Sequence, residues 1–206
     1  MGPTEILSQE HRVIEQVLDS LEKIASAARA AGRLDGERAG QALEVLRTFA
    51  DRIHHGKEED RLFPRMEARG LPRHVGPIAV MLEDHRYGRS LIRQMGDALA
   101  DVQAGKGAAT ALFANAAGAY VAMLRDHIAK EDGVLFPLAE SVLDETGRRE
   151  LQAEFERFHR EDLEPGTLER MLAQAEALAR HFGVPLAAER SAPVAAHGCG
   201  HHGGVC

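Results

Sequence analysis

The sequence predicts an all-α protein: an up-down-up-down four-helix bundle, two shorter C-terminal helices and a flexible Gly/His/Cys tail. Three observations predict it. Apolar residues are mostly Ala and Leu, with few Val or Ile in runs and no Trp among 206 residues, a usage that favours helices over sheets. They recur at alternating steps of three and four along four long stretches. Short breaks rich in Gly separate those stretches, as antiparallel neighbours require. The expected organisation is a bundle over residues 1–140, accessory helices over 141–182 and a His/Cys-rich tail over 183–206.

The first helix is expected over 4–31, with Thr4 as N-cap and the inward series Leu7, His11, Ile14, Leu18, Leu21, Ala25, Ala28. GRLDG (32–36) makes the turn. The second runs from about Glu37 with Leu43, Leu46, Ala50, Ile53/His54, Glu58 and Leu62 inward, and Pro64 should kink it or end it within a turn or so. ARGLPRHVGP (68–77), with two Pro and two Gly, reads as a loop. The third helix carries Ile78, Met81/Leu82, His85, Arg89, Ile92, Met95 and Leu99 on one face, and AGKG (104–107) turns the chain again. The fourth covers about Ala108 to Phe136, with Leu112, Ala116, Tyr120, Met123/Leu124, His127, Glu131 and Leu135 inward. Its Ala- and Gly-rich part near 114–119 admits a close neighbour. Two shorter helices, 147–160 and 167–181, follow. From Gly183 the periodicity is lost, and SAPVAAHGCGHHGGVC is expected to be mobile.

Composition excludes several classes. A net charge of −7 without a basic stripe argues against a nucleic-acid surface. No apolar run approaches the roughly 18 residues of a membrane span, and MGPTEILSQEH lacks the basic-then-apolar pattern of a secretory signal. Cys199 and Cys206 both lie in the last eight residues, so no disulfide framework holds the fold. These features lead us to expect a soluble cytoplasmic protein.

The chemistry lies in an internal repeat. DRIHHGKEEDRLFP (51–64) aligns without a gap on DHIAKEDGVLFP (126–137), pairing His54 with His127, Lys57 with Lys130, Glu58 with Glu131 and Leu62-Phe63-Pro64 with Leu135-Phe136-Pro137. A His and a Glu four residues apart are turned by about 40° on a helix and share one face. Up-down order brings His11 and His85, early in helices one and three, to the level of His54 and His127, late in helices two and four. Four imidazoles and two carboxylates buried together without a cation would cost several kcal/mol. A dinuclear site, with metal ligands His11, His54, Glu58, His85, His127 and Glu131, removes that cost. Imidazole and carboxylate without thiolate exclude Fe–S clusters and are atypical of structural zinc; calcium and magnesium prefer oxygen. Iron fits best, with manganese or zinc able to substitute. Two histidines per metal, two bridging carboxylates and a bridging oxide or hydroxide leave about one octahedral position open on each of two irons, which points to small-molecule chemistry.

The ordered set His11, His54-x3-Glu58, His85, His127-x3-Glu131, within EHRVIE, HHGKEEDRLFP, GPIAVMLEDHRYGR and DHIAKEDGVLFP, resembles the hemerythrin-like (HHE cation-binding) family over residues 5 to about 140. The resemblance implies a non-haem di-iron centre with bridging carboxylates. Relatives bind or sense oxygen, store iron, handle nitric oxide or peroxide, or repair iron–sulfur centres. The expected partners are therefore a small diatomic ligand or peroxide and, through the tail, a metal-acceptor protein. The reading is a protein that binds or senses such a molecule or handles iron. The alternatives are a di-iron enzyme reducing nitric oxide or peroxide and an iron–sulfur repair or trafficking factor.

Three departures bear on this. Oxygen-carrying hemerythrins have His-x3-His in helix three, where Met81 and Arg89 flank His85 here; two open irons would disfavour stable oxygen carriage. Asp132 competes with Glu131 for the bridging role. His55 and Glu59 form a second i, i+4 pair, about 100° out of phase with His54 and Glu58, expected to stand beside the site or at the surface. Glu15 is a candidate acceptor for the His11 N–H or a rim charge, Tyr120 a candidate donor to a bound diatomic or a core residue, and His159 a candidate cover from the fifth helix or an exposed residue. His74 and His181 are expected in solvent. The tail residues His197, Cys199, His201, His202 and Cys206 form a candidate soft-metal or iron hand-off arm or, equally, an unstructured tail with no role.

Overall fold

The computed structural model describes residues 1–190, and among these there is no strand. Helix α1 is Pro3–Ala31; α2 is continuous over 36–68; α3 is Gly76–Gln103; α4 is continuous over 109–142; α5 is Glu145–Glu161; and α6 is Thr167–Phe182, followed by a single 3-10 turn at Ala187–Glu189. Helix α1 begins one residue before the expected cap. Pro3 takes the first turn, where its missing N–H costs nothing, and the Thr4 hydroxyl instead donates to Glu140 (2.5 Å). Gly32, at φ 63°, ends α1 in the left-handed conformation a side chain would resist. Asp35 then accepts from the Arg38 N–H (3.0 Å) and starts α2.

Helices α2 and α4 are not α-helical throughout. Leu46–His55, Glu58–Leu62 and Glu131–Leu135 are wound as π-helix, with hydrogen bonds that reach five residues back. The repeated Leu-Phe-Pro supplies a cause for two of these segments. Pro64 and Pro137 have no N–H, and each ring crowds the carbonyl four residues back. Just before them the turn widens: the Phe63 N–H donates to the Glu58 carbonyl and the Phe136 N–H to that of Glu131. The chain stays helical through both prolines, to Ala68 and to Val142.

Helix α4 packs along α3 and α1, α2 along α3, and α6 across α1 and α2, while α5 lies against α1 and the second wide turn of α2. Two apolar cores result. The larger joins Ile14, Leu18, Leu21, Leu46, Phe49, Ile92, Met95, Phe113, Tyr120 and Leu124 with Phe158, Met171 and Leu178 of the last two helices. The smaller joins Leu7, Leu62, Phe63, Ile78, Met81, Leu135 and Phe136 with Leu151 and Phe155. One expected core position is wrong: Leu112 is 62% exposed, and its neighbour Phe113, one helical step round, is buried. Residues 183–190 also differ from the mobile segment expected. Val184 is buried, the Ala187 N–H donates to Gln16 (2.6 Å) and Arg190 pairs with Asp19 (2.6 Å), which ties the segment to α1. The tail positions His197, Cys199, His201, His202 and Cys206 lie outside the described residues.

Candidate metal centre

Between the two cores lies a polar layer: His11 from α1, His54, His55 and Glu58 from α2, His85 from α3, and His127 and Glu131 from α4, none more than 4% exposed. The structure brings all six expected residues together and adds His55. Two groups stand out by ligand distance. One is His11, His54, Glu58 and Glu131; the other is His55, His85, His127 and Glu58. The carboxylates span both. Glu131 Oε2 is 3.1 Å from His11 Nε2 and 3.3 Å from His127 Nε2. Glu58 Oε1 is 3.6 Å from His54 Nε2, and its Oε2 is 3.4 Å from His85 Nε2.

Carboxylates behind four of the rings fix their tautomer. Nδ1–H donates from His11 to Asp132 (2.9 Å), from His54 to Glu10 (3.1 Å), from His85 to Glu59 (2.7 Å) and from His127 to Asp84 (3.4 Å). A cation answers each of those acids in turn: Arg12 on Asp132, Lys57 on Glu10, Arg89 on Glu59 and Lys130 on Asp84. With the proton on Nδ1, every Nε2 turns a lone pair inward. These lone pairs meet head on, His11 Nε2 to His54 Nε2 at 3.0 Å and His85 Nε2 to His127 Nε2 at 3.1 Å. Two bare acceptors repel at that distance unless a cation joins them. Two nitrogens about 2.1 Å from one cation and at right angles would be about 3.0 Å apart.

Electrostatics agree. Burial lowers the pKa of all five histidines, that of His55 to about 4, so they stay neutral. Burial raises Glu58 and Glu131 well above the carboxylate range, and for Glu131 the charge of Glu58 adds to it. Burial alone would raise Asp132 too, but hydrogen bonds from His11 and Ser8 and the charge of Arg12 hold it below its ordinary value. Five buried atoms of this layer have no hydrogen-bond partner among the described residues: both ring nitrogens of His55, both oxygens of Glu58 and Oε1 of Glu131. Orphaned buried donors and acceptors are expensive; here the Glu58 and Glu131 oxygens and one nitrogen of His55 are atoms that cations would use, while His55 Nδ1 lies 3.5 Å from Asp51.

Several expectations need correction or resolution. His55, expected beside the site or at the surface, is buried with its ring stacked 3.9 Å from that of His85. The π winding of Leu46–His55 is the physical reason: each residue turns through less than the α-helical 100° or so, so His54 and His55 both face inward. Its partner in the pair, Glu59, stands behind His85. Glu131 enters the layer while Asp132 supports His11 from outside. Glu15 pairs with Arg12 (3.0 Å) on the rim and does not reach His11 as an acceptor. Tyr120 is packed in the larger core, where burial first and then the charge of Asp51 push its hydroxyl pKa up. His159 belongs to neither group; burial and the charges of Lys57 and Arg61 lower it to about 4. His74 and His181 are exposed. Glu10 and Asp84 were missed. Each directly precedes a layer histidine, in Glu10-His11-Arg12 and Asp84-His85-Arg86, a second short repeat that could have revealed them.

A helical scaffold holding two buried groups of neutral imidazoles and uncompensated carboxylates defines a cation-binding protein. Residues 2–139 match the model of the hemerythrin HHE cation-binding domain, and the chain belongs to that family. Proteins described only as uncharacterized, from Mycobacterium bovis and from two strains of Mycobacterium tuberculosis, are each 26% identical over 152 residues, which is 74% of this chain. The match spans 59% of the length of those relatives. No solved structure matches the chain. Among the described residues no helix is long and apolar enough to cross a membrane.

Proposed function

We propose that this protein holds two non-haem iron ions, bridged by oxide or hydroxide, and uses them to bind or sense a small molecule such as oxygen, nitric oxide or peroxide. The observation that carries the proposal is that the three residues of this layer with orphaned buried atoms, His55, Glu58 and Glu131, are all members of the two ligand groups. The ligands are His11, His54, Glu58, His85, His127 and Glu131, with His55 as a fifth imidazole. The working unit is residues 1–140, in which α1 to α4 run alternately up and down; the packing of α4 on α3 and α1 and of α2 on α3 supports that order.

The fifth imidazole changes the ligand count. His55, His85 and His127 with an oxygen from each glutamate would give one ion five donors from the chain, whereas His11 and His54 with an oxygen from each glutamate would give the other four. The ion held by His11 and His54 would therefore have the greater room for a small ligand. This weakens the objection to reversible binding that a four-histidine set raised. When bound, the irons supply the coordination and redox chemistry. The chain supplies neutral imidazoles aimed by Asp132, Glu10, Glu59 and Asp84, two carboxylates that span both groups, and apolar layers above and below that exclude water.

Anaerobic reconstitution with ferrous iron should load about two per chain, and exposure to oxygen or nitric oxide should then give a saturable absorption change. His54→Ala and His127→Ala should each fall well below two. Unchanged metal content in both variants would refute the site.

A further inference from the structure

Residues 2–139 carry the family domain, so α5 stands outside it. It nevertheless supports one of the two metal pockets. Lysine is seldom fully buried, yet Lys57 is closed off entirely, its ammonium 5.4 Å from the centre of the Phe155 ring of α5. That ammonium donates to one oxygen of Glu10, and the other oxygen accepts the Nδ1–H of His54 (3.1 Å). A line of contacts thus runs from α5 through Lys57 and Glu10 to a ring of the His11/His54 group. The matching line behind His127, through Asp84 to Lys130, ends in a side chain that is partly open to solvent.

Burial makes this line stiff. Out of water the Lys57–Glu10 attraction is strong, and neither group has another partner to turn to. Once water enters, Lys57 can swing outward on its flexible stem, Glu10 is solvated, and His54 loses its fixed acceptor. The attachment of α5 suits it to such opening. Leu151, Phe155 and Phe158 are its buried apolar side chains. Around them runs a row of ion pairs to α2: Arg61 with Asp162 (3.1 Å), Arg65 with Glu150 (3.1 Å) and Glu154 (2.9 Å), and Arg69 with Asp144 (2.9 Å). Asp144, Glu150 and Asp162 are exposed, so these pairs are weak and salt screens them. An element held this way opens locally at lower cost than the bundle beneath it.

We propose that α5 is a lid on the His11/His54 pocket and that Phe155 is the positioning residue for His54, acting through Lys57 and Glu10. Docked, α5 keeps Lys57 on Glu10 and His54 aimed into the layer. Lifted, it frees all three, and the pocket holds its ion less tightly. The pocket of His55, His85 and His127 keeps its own supports. The effect on a bound ion rests on the proposed di-iron centre; the lid and its hold on His54 do not.

Acylation of the full metal-free chain with acetic anhydride, read by peptide mass spectrometry, reports the lid. Lys57 should react at least about tenfold more slowly than Lys130, and Phe155→Ala should bring it close to the Lys130 rate. In proton–nitrogen NMR spectra the same variant should lose the His54 Nδ1–H signal and keep that of His85, which Glu59 holds. After iron loading, one of the two equivalents should weaken by about 10–100-fold and the other stay. Phe155→Leu, which keeps an apolar cover, should restore slow labelling and the His54 signal. Glu150→Lys with Glu154→Lys repels Arg65 from the surface and repeats the test should Phe155→Ala lose its helical signal. The proposal is overturned if wild-type Lys57 reacts as fast as Lys130 or if no folded variant speeds it. It also fails if a variant frees Lys57 but leaves the His54 signal unchanged, or weakens both iron equivalents alike. A chain that takes up no iron yet shows the labelling and NMR changes keeps the lid and refutes the di-iron reading.

Discussion

The two halves of the bundle, α1 with α2 and α3 with α4, are built on one pattern. Glu10 and His11 in the first correspond to Asp84 and His85 in the second, and His54, Lys57, Glu58 and Glu59 to His127, Lys130, Glu131 and Asp132. The supports cross in matching ways. Glu59 of the first half holds His85 and Asp132 of the second holds His11, while the Phe63 ring lies parallel to His85 and the Phe136 ring to His11. The break in the pattern is one residue wide: His55 stands where the second half has Ile128, and both are buried. A near-symmetric scaffold thus yields unequal pockets, three imidazoles against two, where α2 is wound as π-helix over Leu46–His55 and α4 stays α-helical to Lys130. A second inequality sits at the lysines. Lys57 is fully buried, its ammonium 5.4 Å from the centre of the Phe155 ring of α5, whereas the Lys130 side chain is 39% exposed.

The largest effect should come from a residue the pockets share. Glu58→Ala removes an acceptor from both groups, so metal analysis should show loss from both; loss of a single equivalent would mean that Glu58 serves one pocket only. Next comes Lys57→Met. It leaves Glu10 buried without its cation, a break that typically costs about 3–5 kcal/mol, and denaturant unfolding should register it as an early midpoint in metal-free protein. His55→Ile copies the second half's residue into the first. It should weaken one metal equivalent by at least the roughly 10–100-fold that loss of a mere supporting residue costs, and leave the other in place. Two equivalents bound as tightly as before would remove His55 from the ligand set.

These contrasts also mark what could be read from the chain beforehand. The inward stripe of α1, from Leu7 to Ala28, is legible because an unbroken α-helix keeps one period, and its seven expected residues are buried. His54 with Glu58 and His127 with Glu131 are legible because the chain states them twice. His55 was not, since period arithmetic at about 100° per residue fails where the helix widens. Pro64 hinted at a disturbed turn, but nothing in the local sequence announces the separate wide segment at Leu46–His55. Leu112 was misread for a simpler reason: a chain of apolar residues at 112 and 113 fits two phases, and packing against α1 and α3 chose Phe113. The supports Glu10 and Asp84 come from neighbouring helices, so only the three-dimensional arrangement pairs them with His54 and His127.

The smallest expected effect completes the lysine comparison. Lys130 repeats Lys57 in sequence and in role, since each answers the carboxylate behind a layer histidine. Sequence position alone would assign them equal weight. Solvent decides otherwise. Water solvates the Lys130 ammonium, which also shares its charge with Asp126 at 2.7 Å on an exposed turn, and exposed pairs of this kind contribute about 0–1 kcal/mol. Lys130→Met should therefore shift the unfolding midpoint by less than about 1 kcal/mol, several-fold below Lys57→Met, because water can replace its bond to Asp84. Comparable losses in the two variants would show that burial under Phe155 does not separate the halves, and that the ion pairs act through the metal layer they support.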